Sequence, residues 1–496
     1  MGKKSKRRLN QKPEAKRGAP GTRDEEFEET ADNLRFEDPY IDEIEAEDVM
    51  DDDNEEEMED ADNGDVELVQ SWHPLMGVPN DEPLQMDPSA YKMYHTLSPE
   101  WPALSFDFLR DDLGDARQRF PHSMQAAIGT QADTAENNRL TIMKLSDLCK
   151  MPQEDEEDIL GDEYDKEDDD SSSDEEQDNV DLDPIMEHYH VPHYGGVNRL
   201  RAMPQQPDII ATWSDVGTVN LFNVESIRSR FLASEGRSAK DTSAGCQKPF
   251  FSHMGHGTEG YAMDWSLVKK GHFASGDNNG NIHYWTPRPE GGYEVVPSYE
   301  SQGGQSVEDI QWSPTEGTVF AAAECGGHVS IYDTRAPNRA MLRPCVHDNK
   351  SDVNVISWNK LVSNLLATGG DDGTLSVWDL RHFSQNSEKA AAPLARFTCH
   401  QTPITSVEWH PTDESMLAAS DTVGAYIYDL SVEEDVEDAN KASSTTKTLV
   451  ADIPPQLLFC HSGSQEFREL HWHPQISSCI MTTALTGFSV FIPSNL

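Results

Sequence analysis

Tryptophan returns along the second half of this chain at a nearly constant interval. Trp265, Trp312, Trp358, Trp409 and Trp472 are separated by 47, 46, 51 and 63 residues, and a second aromatic series, Trp285, Tyr332, Trp378 and Tyr428, by 47, 46 and 50. One copy of the unit reads Val353-Asn354-Val355-Ile356-Ser357-Trp358, a break, Leu365 to Gly369, a turn over Gly370-Asp371-Asp372-Gly373, then Thr374-Leu375-Ser376-Val377-Trp378-Asp379. Short apolar runs bounded by turn residues read as strands. Asp372-Gly373, Asn279-Gly280 and Gly326-Gly327 suit tight hairpins that need positive φ. A unit of three or four strands cannot bury both faces alone, whereas a closed ring of such units buries them all. The units fall at 101–150, 194–224, 255–287, 306–335, 352–381, 402–431 and 459–493. The expectation is an all-β, seven-bladed propeller.

Three of the second-series aromatics are followed by Asp333, Asp379 and Asp429, and His256, His347, His400 and His461 each stand ahead of a unit. This pattern resembles the WD repeat, which implies that those histidines and the turn aspartates hydrogen-bond within their blades. The last unit departs from it. Ala484 to Phe491 contains no Asp-Gly turn and no Trp-Asp.

Charge is distributed very unevenly. Of the formal −51, residues 24–67 carry −23 (24 acids against Arg35) and residues 154–183 carry −17 (18 acids against Lys166). Runs this dense bury too little apolar surface to offset chain entropy, and they attract basic proteins while repelling nucleic acid and anionic membranes. Glu55, Glu56, Glu57, Asp168, Asp169 and Asp170 stand for these two arms as candidate partner-binding residues. The first 23 residues instead hold nine bases, and Lys3, Lys4, Lys6, Arg7 and Arg8 form a cluster read as a nuclear-import signal. Ser171, Ser172 and Ser173 precede Asp174-Glu175-Glu176, a context for an acid-directed kinase; phosphates there deepen the same negative field. The seven cysteines contain no C-x-x-C pair, so neither a disulfide framework nor a zinc site is indicated. No stretch reaches the ~20 apolar residues of a membrane span.

The domain expectation is a basic-then-acidic tail at 1–67, an N-terminal segment at 68–100, and the propeller at 101–496, interrupted by acidic insertions at 152–183 and 432–450. Asp87-Pro88 reads as a helix start, and Tyr91, Tyr94 and Leu97 fall at spacings of three, so a short helix is expected over 88–98, stopped by Pro99.

Three stretches carry a closer resemblance: Tyr91-Lys92-Met93-Tyr94 through Trp101-Pro102-Ala103-Leu104-Ser105-Phe106; Val197-Asn198-Arg199 with Pro204 to Thr212; and Pro454-Pro455-Gln456-Leu457-Leu458-Phe459-Cys460-His461. They are similar to the retinoblastoma-binding, histone-chaperone branch of WD-repeat proteins. Within that branch, Leu104-Ser105-Phe106-Asp107, Leu113-Gly114-Asp115, Gly129-Thr130-Gln131-Ala132 and Asn138-Arg139-Leu140 resemble the glutamate-rich WD-repeat family. The resemblance spans residues 68–496 and implies a nuclear and nucleolar protein acting in assembly of the large ribosomal subunit; a non-enzymatic monomer is the expectation. Its fungal members are similar to dedicated chaperones of newly made ribosomal protein L-three, so that protein is the expected partner. Pre-ribosomal particles and an import receptor are further expected partners. Histones are the alternative cargo, making the chain a histone chaperone or chromatin adaptor. The histone-chaperone branch also implies a side groove, which maps here onto Tyr91, Tyr94 and Leu97 of the expected helix and onto Glu433, Glu434, Asp435, Glu437 and Asp438. The propeller's loop face and channel are an equal candidate. His188, His190 and His193 are the one metal-like trio singled out, and a structural role is the expectation for them. No catalytic motif, metal site, cofactor or membrane partner is expected, and no nucleic-acid binding by the propeller.

Overall fold

The computed structural model of the chain describes residues 86–151, 183–233, 248–301, 303–336, 339–347, 351–383, 392–433 and 453–496. The strands form seven antiparallel sheets. The first strand in the chain, β1 (Tyr91–Leu97), belongs to the last sheet. Blade 1 is β2 (Ala103–Phe108), β3 (His122–Thr130), β4 (Arg139–Leu148) and β5 (Ile185–Pro192). Blade 2 is β6 (Val197–Met203), β7 (Gln206–Ser214), β8 (Thr218–Asn223) and β9 (Phe251–His253). Blade 3 is β10 (Met263–Trp265), β11 (Phe273–Gly276), β12 (Asn281–Pro287) and β13 (Tyr293–Glu300). Blade 4 has three strands, β14 (Val307–Trp312), β15 (Val319–Glu324) and β16 (His328–Asp333). Its outer position is taken by residues 341–346, which bond to β16 through Met341 N–H to Ile331 O and Ile331 N–H to Leu342 O. Blade 5 is β17 (Val353–Trp358), β18 (Leu365–Gly370), β19 (Leu375–Asp379) and β20 (Ala395–Phe397). Blade 6 is β21 (Ser406–Trp409), β22 (Met416–Ser420), β23 (Gly424–Asp429) and β24 (Leu457–Ser462). Blade 7 is β25 (Glu469–Trp472), β26 (Ile480–Ala484) and β27 (Gly487–Pro493), completed by β1.

The core is a set of wedges between blades. Each of seven apolar clusters draws its buried residues from two neighbouring blades. Because a neighbour covers each face, the middle strands do not alternate. Ala321, Ala322 and Ala323 of β15 are all buried, with odd and even residues packing into different wedges. Small residues let the sheets approach. A Cβ on Gly129 of β3 would lie 2.4 Å from Val197 of the next blade.

The seven-bladed propeller is as expected, but its closure corrects two expectations. Residues 91–97 are not helical: a single 3-10 turn, Pro88–Ala90, capped by Asp87, leads straight into β1. The propeller therefore begins at Tyr91 rather than at residue 101. Likewise, Leu457–Ser462 is the outer strand of blade 6, not the start of the last blade. The helical reading arose from a bulge. Lys92 is an extra residue between the pairs Tyr91↔Pro493 and Met93↔Ile492. It shifts the face of the strand, so Tyr91 and Tyr94, three apart, point the same way with ring centroids 5.0 Å apart. Met93 and Leu97 face the opposite wedge. A strand between two wedges buries side chains on both faces, which a surface helix does not.

One α-helix occurs among the described residues, α1 (Glu225–Ala233), between β8 and β9. Ile227 and Phe231 are buried against blade 1, with Phe231 5.3 Å from the Tyr189 ring. Arg228 bonds to Asp208 at 2.7 Å and to Gln125 at 2.9 Å.

Candidate functional site: channel and closure seam

The first strands of the seven blades wall a central cavity of about 480 Å³. In six of these strands the residue one step before the end aromatic faces it, Asp107, Asp264, Gln311, Ser357, Glu408 and His471, and in blade 2, which has no such aromatic, Arg201 takes that place. Several stitch one blade to the next. Asp107 accepts from Ala202 N–H at 2.8 Å, Asp264 from Trp312 N–H at 2.7 Å, Gln311 from Trp358 N–H at 2.8 Å, Ser357 from Trp409 N–H at 3.2 Å and Glu408 from Trp472 N–H at 3.0 Å. The indole N–H groups of Trp312, Trp409 and Trp472 donate to the backbone carbonyls of Asp264, Ser357 and Glu408. Two residues earlier, Ser105, Asp309 and Glu469 repeat the device, accepting from Leu200, Ile356 and Phe106 N–H.

An ion network links blade 7 to blade 2 on one side and to blades 6 and 5 on the other. Glu469 pairs with Arg199 and Arg201 of blade 2, each at 2.8 Å, and with His471 Nε2 at 3.5 Å. His471 Nδ1 lies 3.0 Å from Glu408, which also meets Lys360 at 3.5 Å. Burial disfavours protonation of His471, but Glu408 and Glu469 outweigh it and raise its pKa to about 9. Burial likewise opposes ionisation of Glu408, yet His471 and Lys360 hold it down to about 2. Asp264 has no such charged partner at contact distance among the described residues. Burial carries it up to about 7 against the pull of the Trp312 N–H and of Arg201.

The repeat histidines are structural. Trp285 Nε1–H donates to Ser275 Oγ at 2.9 Å, that hydroxyl meets His256 Nε2 at 2.8 Å, and His256 Nδ1 lies 3.1 Å from Asp277. In blade 5, Trp378 and His347 share Thr368 Oγ1, each at 2.9 Å. In blade 6, the Tyr428 hydroxyl replaces the small alcohol, 2.9 Å from His400 Nε2. Blade 7 lacks the aspartate. Tyr91 of β1 supplies the partner, its hydroxyl 2.8 Å from His461 Nδ1.

The sequence-derived site residues fare unevenly. Tyr91 is core; Tyr94 is half-buried beside it, and Leu97 packs into the other wedge, so the three do not form one groove face. Glu433 is exposed after blade 6. Glu434, Asp435, Glu437, Asp438, the two acidic arms, Ser171, Ser172, Ser173 and the Lys3 to Arg8 cluster lie outside the described residues. His188 and His190 sit side by side on β5, their rings 4.8 Å apart, while His193 bonds Thr212 at 3.0 Å in the next blade. A different trio gathers its nitrogens more closely: His253, His256 and His283. There His256 stacks on His283 at 3.8 Å and 19° and spends both nitrogens on Ser275 and Asp277, so the in-plane lone pairs do not converge on one point. The channel charges went unread in sequence. A signal existed, since Asp264, Gln311, Ser357, Glu408 and His471 each directly precede a repeat tryptophan.

Residues 81–149 match the family of the histone-binding protein RBBP4, which takes in a component of the CAF1 complex, and residues 344–379 and 391–423 match the WD domain, G-beta repeat. Over 481 residues the chain is 37% identical to the ribosome assembly protein rrb1 of Schizosaccharomyces pombe, covering 93% of this chain and 94% of that protein. It is 38% identical over 416 residues to the glutamate-rich WD repeat-containing protein 1 of Dictyostelium discoideum, covering 84% and 83%. This chain belongs to the glutamate-rich WD-repeat family. A further relative is the protein HEAT STRESS TOLERANT DWD 1 of Arabidopsis thaliana, 39% identical over 435 residues, covering 86% of this chain and 91% of that protein. In this glutamate-rich WD-repeat protein, the histone-binding match runs from the closure strand through most of blade 1. It therefore covers most of the blade that stands between Glu469 and its partners Arg199 and Arg201.

Proposed function

We propose that this protein is a non-enzymatic chaperone of the nucleus and nucleolus. It holds a highly basic ribosomal protein, newly made L-three of the large subunit, and delivers it to ribosome assembly. The observation that carries this reading is the conjunction of two acid runs worth −40 with near-full-length identity to a ribosome assembly protein. Proteins destined for rRNA carry Lys and Arg that pair with anything anionic until RNA replaces it. The acid arms supply that anion without demanding one geometry. The attraction weakens with salt, since the Debye length is ~8 Å at physiological ionic strength. The propeller supplies a rigid carrier. Its buried charges are committed to bracing the ring, which supports a scaffold over a reaction centre.

A second cargo class, histones, is favoured by the match of residues 81–149 to the histone-binding family. A pull-down of full-length protein from nuclear extract at moderately high salt, read by mass spectrometry, separates the two. One large-subunit ribosomal protein in near-equal amount supports the chaperone; core histones in its place move the function to chromatin; no basic protein at all removes both readings.

A further inference from the structure

Apart from the Arg110–Asp115 pair at its rim, five carboxylates and four cations meet in and around the central channel among the described residues: Asp107, Asp264, Asp309, Glu408 and Glu469 against Arg199, Arg201, His471 and Lys360. Glu469 is matched by Arg199, Arg201 and His471, and Glu408 by His471 and Lys360. That leaves Asp107, Asp264 and Asp309, which all line the cavity. None of these three has a cation within salt-bridge distance among the described residues. Their hydrogen bonds come from backbone N–H groups: Ala202 to Asp107, Trp265 and Trp312 to Asp264, Ile310 and Ile356 to Asp309. Amide donors favour a carboxylate but add no net charge, so the group stays one positive charge short of neutral.

Burial acts on all three in the same direction, raising their pKa, and carries Asp264 to about 7. Arg201 of blade 2 favours the ionised form of Asp264, and Asp309 of blade 4 opposes it. Across the channel stand Asp107, Glu408 and His471. Near neutral pH a proton on Asp264 therefore supplies part of the missing charge.

The cavity opens on the face made by the loops between first and second strands. Pro204, Leu267, Pro314, Pro411 and Pro474 rim it there, one each from blades 2, 3, 4, 6 and 7. Proline has no N–H, and neither side chain has a polar atom, so this rim suits an aliphatic stem better than a polar ligand. Lys360 of blade 5 shows how a cation at the rim meets a channel carboxylate, its Nζ 3.5 Å from Glu408. Long basic side chains combine such a stem with such a head.

We propose that this mouth is a socket for one lysine or arginine side chain of the partner protein, its stem against the proline and leucine rim and its cation beside Asp264. An anion is a poor occupant, since the guanidinium groups of Arg199 and Arg201 are already spent on Glu469. The inference rests on the chaperone reading above and names one point at which a basic cargo is held.

The probe is the capped tripeptide leucine–lysine–leucine. Its control carries norleucine in place of lysine, the same stem without the charge. Both are titrated calorimetrically into full-length protein at moderately high salt, from pH 6 to 8. The lysine peptide should bind about tenfold tighter than the control, or better. Its affinity should rise with pH by up to about tenfold, because a cation there displaces the proton that Asp264 holds near pH 7. Acids of ordinary pKa are ionised throughout this range, so attraction to the acidic arms alone gives a flat profile. Leu267→Lys places a fixed cation at the mouth. It should weaken the lysine peptide about tenfold and leave the melting temperature unchanged, since Leu267 is exposed. Asp264→Asn keeps an acceptor for the Trp312 N–H and should flatten the pH profile; if that variant fails to fold, Leu267→Lys decides. Equal affinity of the two peptides, a flat profile in the natural protein, or indifference to Leu267→Lys overturns the socket. If the pull-down yields a basic ribosomal protein while the two peptides bind equally, the socket falls and the chaperone stands. If the lysine peptide binds as expected and the pull-down yields no basic protein, the socket stands and the chaperone falls.

Discussion

The Tyr91 hydroxyl lies 2.8 Å from Nδ1 of His461, 370 residues further along the chain. In the other complete repeats the matching histidine nitrogen faces an aspartate of its own blade, as with Asp277 and Asp421. In blade 7 the partner comes from the strand that closes the ring. His461 is buried and titrates low, to about 4, because burial disfavours its charged form. The pair is therefore a neutral hydrogen bond.

Removing that hydroxyl should weaken closure. Tyr91→Phe leaves Nδ1 unpaired in a site where Nε2 of His461 already has no partner. The expected cost is about 1–3 kcal/mol, read as a lower urea midpoint. Faster amide exchange in β1 and β27 than elsewhere would localise the loss to the seam.

Thr368 and Thr482 occupy equivalent places on the second strands of blades 5 and 7 but do different work. Thr368→Val strands both the Trp378 indole and His347 Nε2, at about 2–3 kcal/mol. Thr482 Oγ1 is buried without a hydrogen-bond partner, so Thr482→Val should be neutral or slightly stabilising. Paired thermal melts of the two variants test this contrast.

Glu469→Gln should be among the most damaging single changes. It removes the anion shared by Arg199, Arg201 and His471 in a side chain 1% exposed. Breaking one partner of a buried ion pair costs about 3–5 kcal/mol, measurable by denaturant titration.

His471 gives the pH dependence a definite sign. Its folded pKa, about 9, lies above its ordinary value. Its contribution is therefore complete below about pH 6.5 and disappears as pH rises through 9. The difference in unfolding free energy between the natural protein and His471→Gln should shrink over that window, by on the order of 3 kcal/mol for a shift of this size. Glu408 acts oppositely. Held down to about 2, it contributes fully above about pH 4.3 and loses that contribution as pH falls toward its folded value. A difference that stayed flat from pH 6.5 to 9 would show that His471 is not held charged between the two glutamates.

Gly260 tests the closeness of the blades. A Cβ there would meet the Gly276 carbonyl at 2.4 Å and the Trp213 ring at 2.8 Å. Backbone cannot yield as a flexible side chain does, so Gly260→Ala should cost about 3 kcal/mol or more by forced repacking. By contrast, Gly114→Ala meets nothing within 4 Å and is opposed only by its φ of +95°.

The fold was legible because one Trp per blade sits at the end of each first strand from blade 3 onward, and that spacing survives in sequence. Blade 1, where Phe108 stands in the tryptophan's place, was found from its alternating strands instead. The closure was not legible. β1 pairs with residues about four hundred positions away, and no local pattern reports such a partner. Its bulge at Lys92 also imitates helical spacing. The channel charges were hidden differently. Each looks like an ordinary polar residue on an alternating strand until the ring brings Arg199, Arg201, Glu408, Glu469 and His471 together.

Closing the ring with its first strand also sets a timetable for synthesis. Tyr91 to Leu97 leave the ribosome about four hundred residues before their partners, Phe488 to Pro493. At 5–20 residues per second the interval is roughly 20–80 s. Throughout it the apolar faces of β1 and the first wedge of blade 1 wait unpaired, so the ring stays open at one place until β27 has been made.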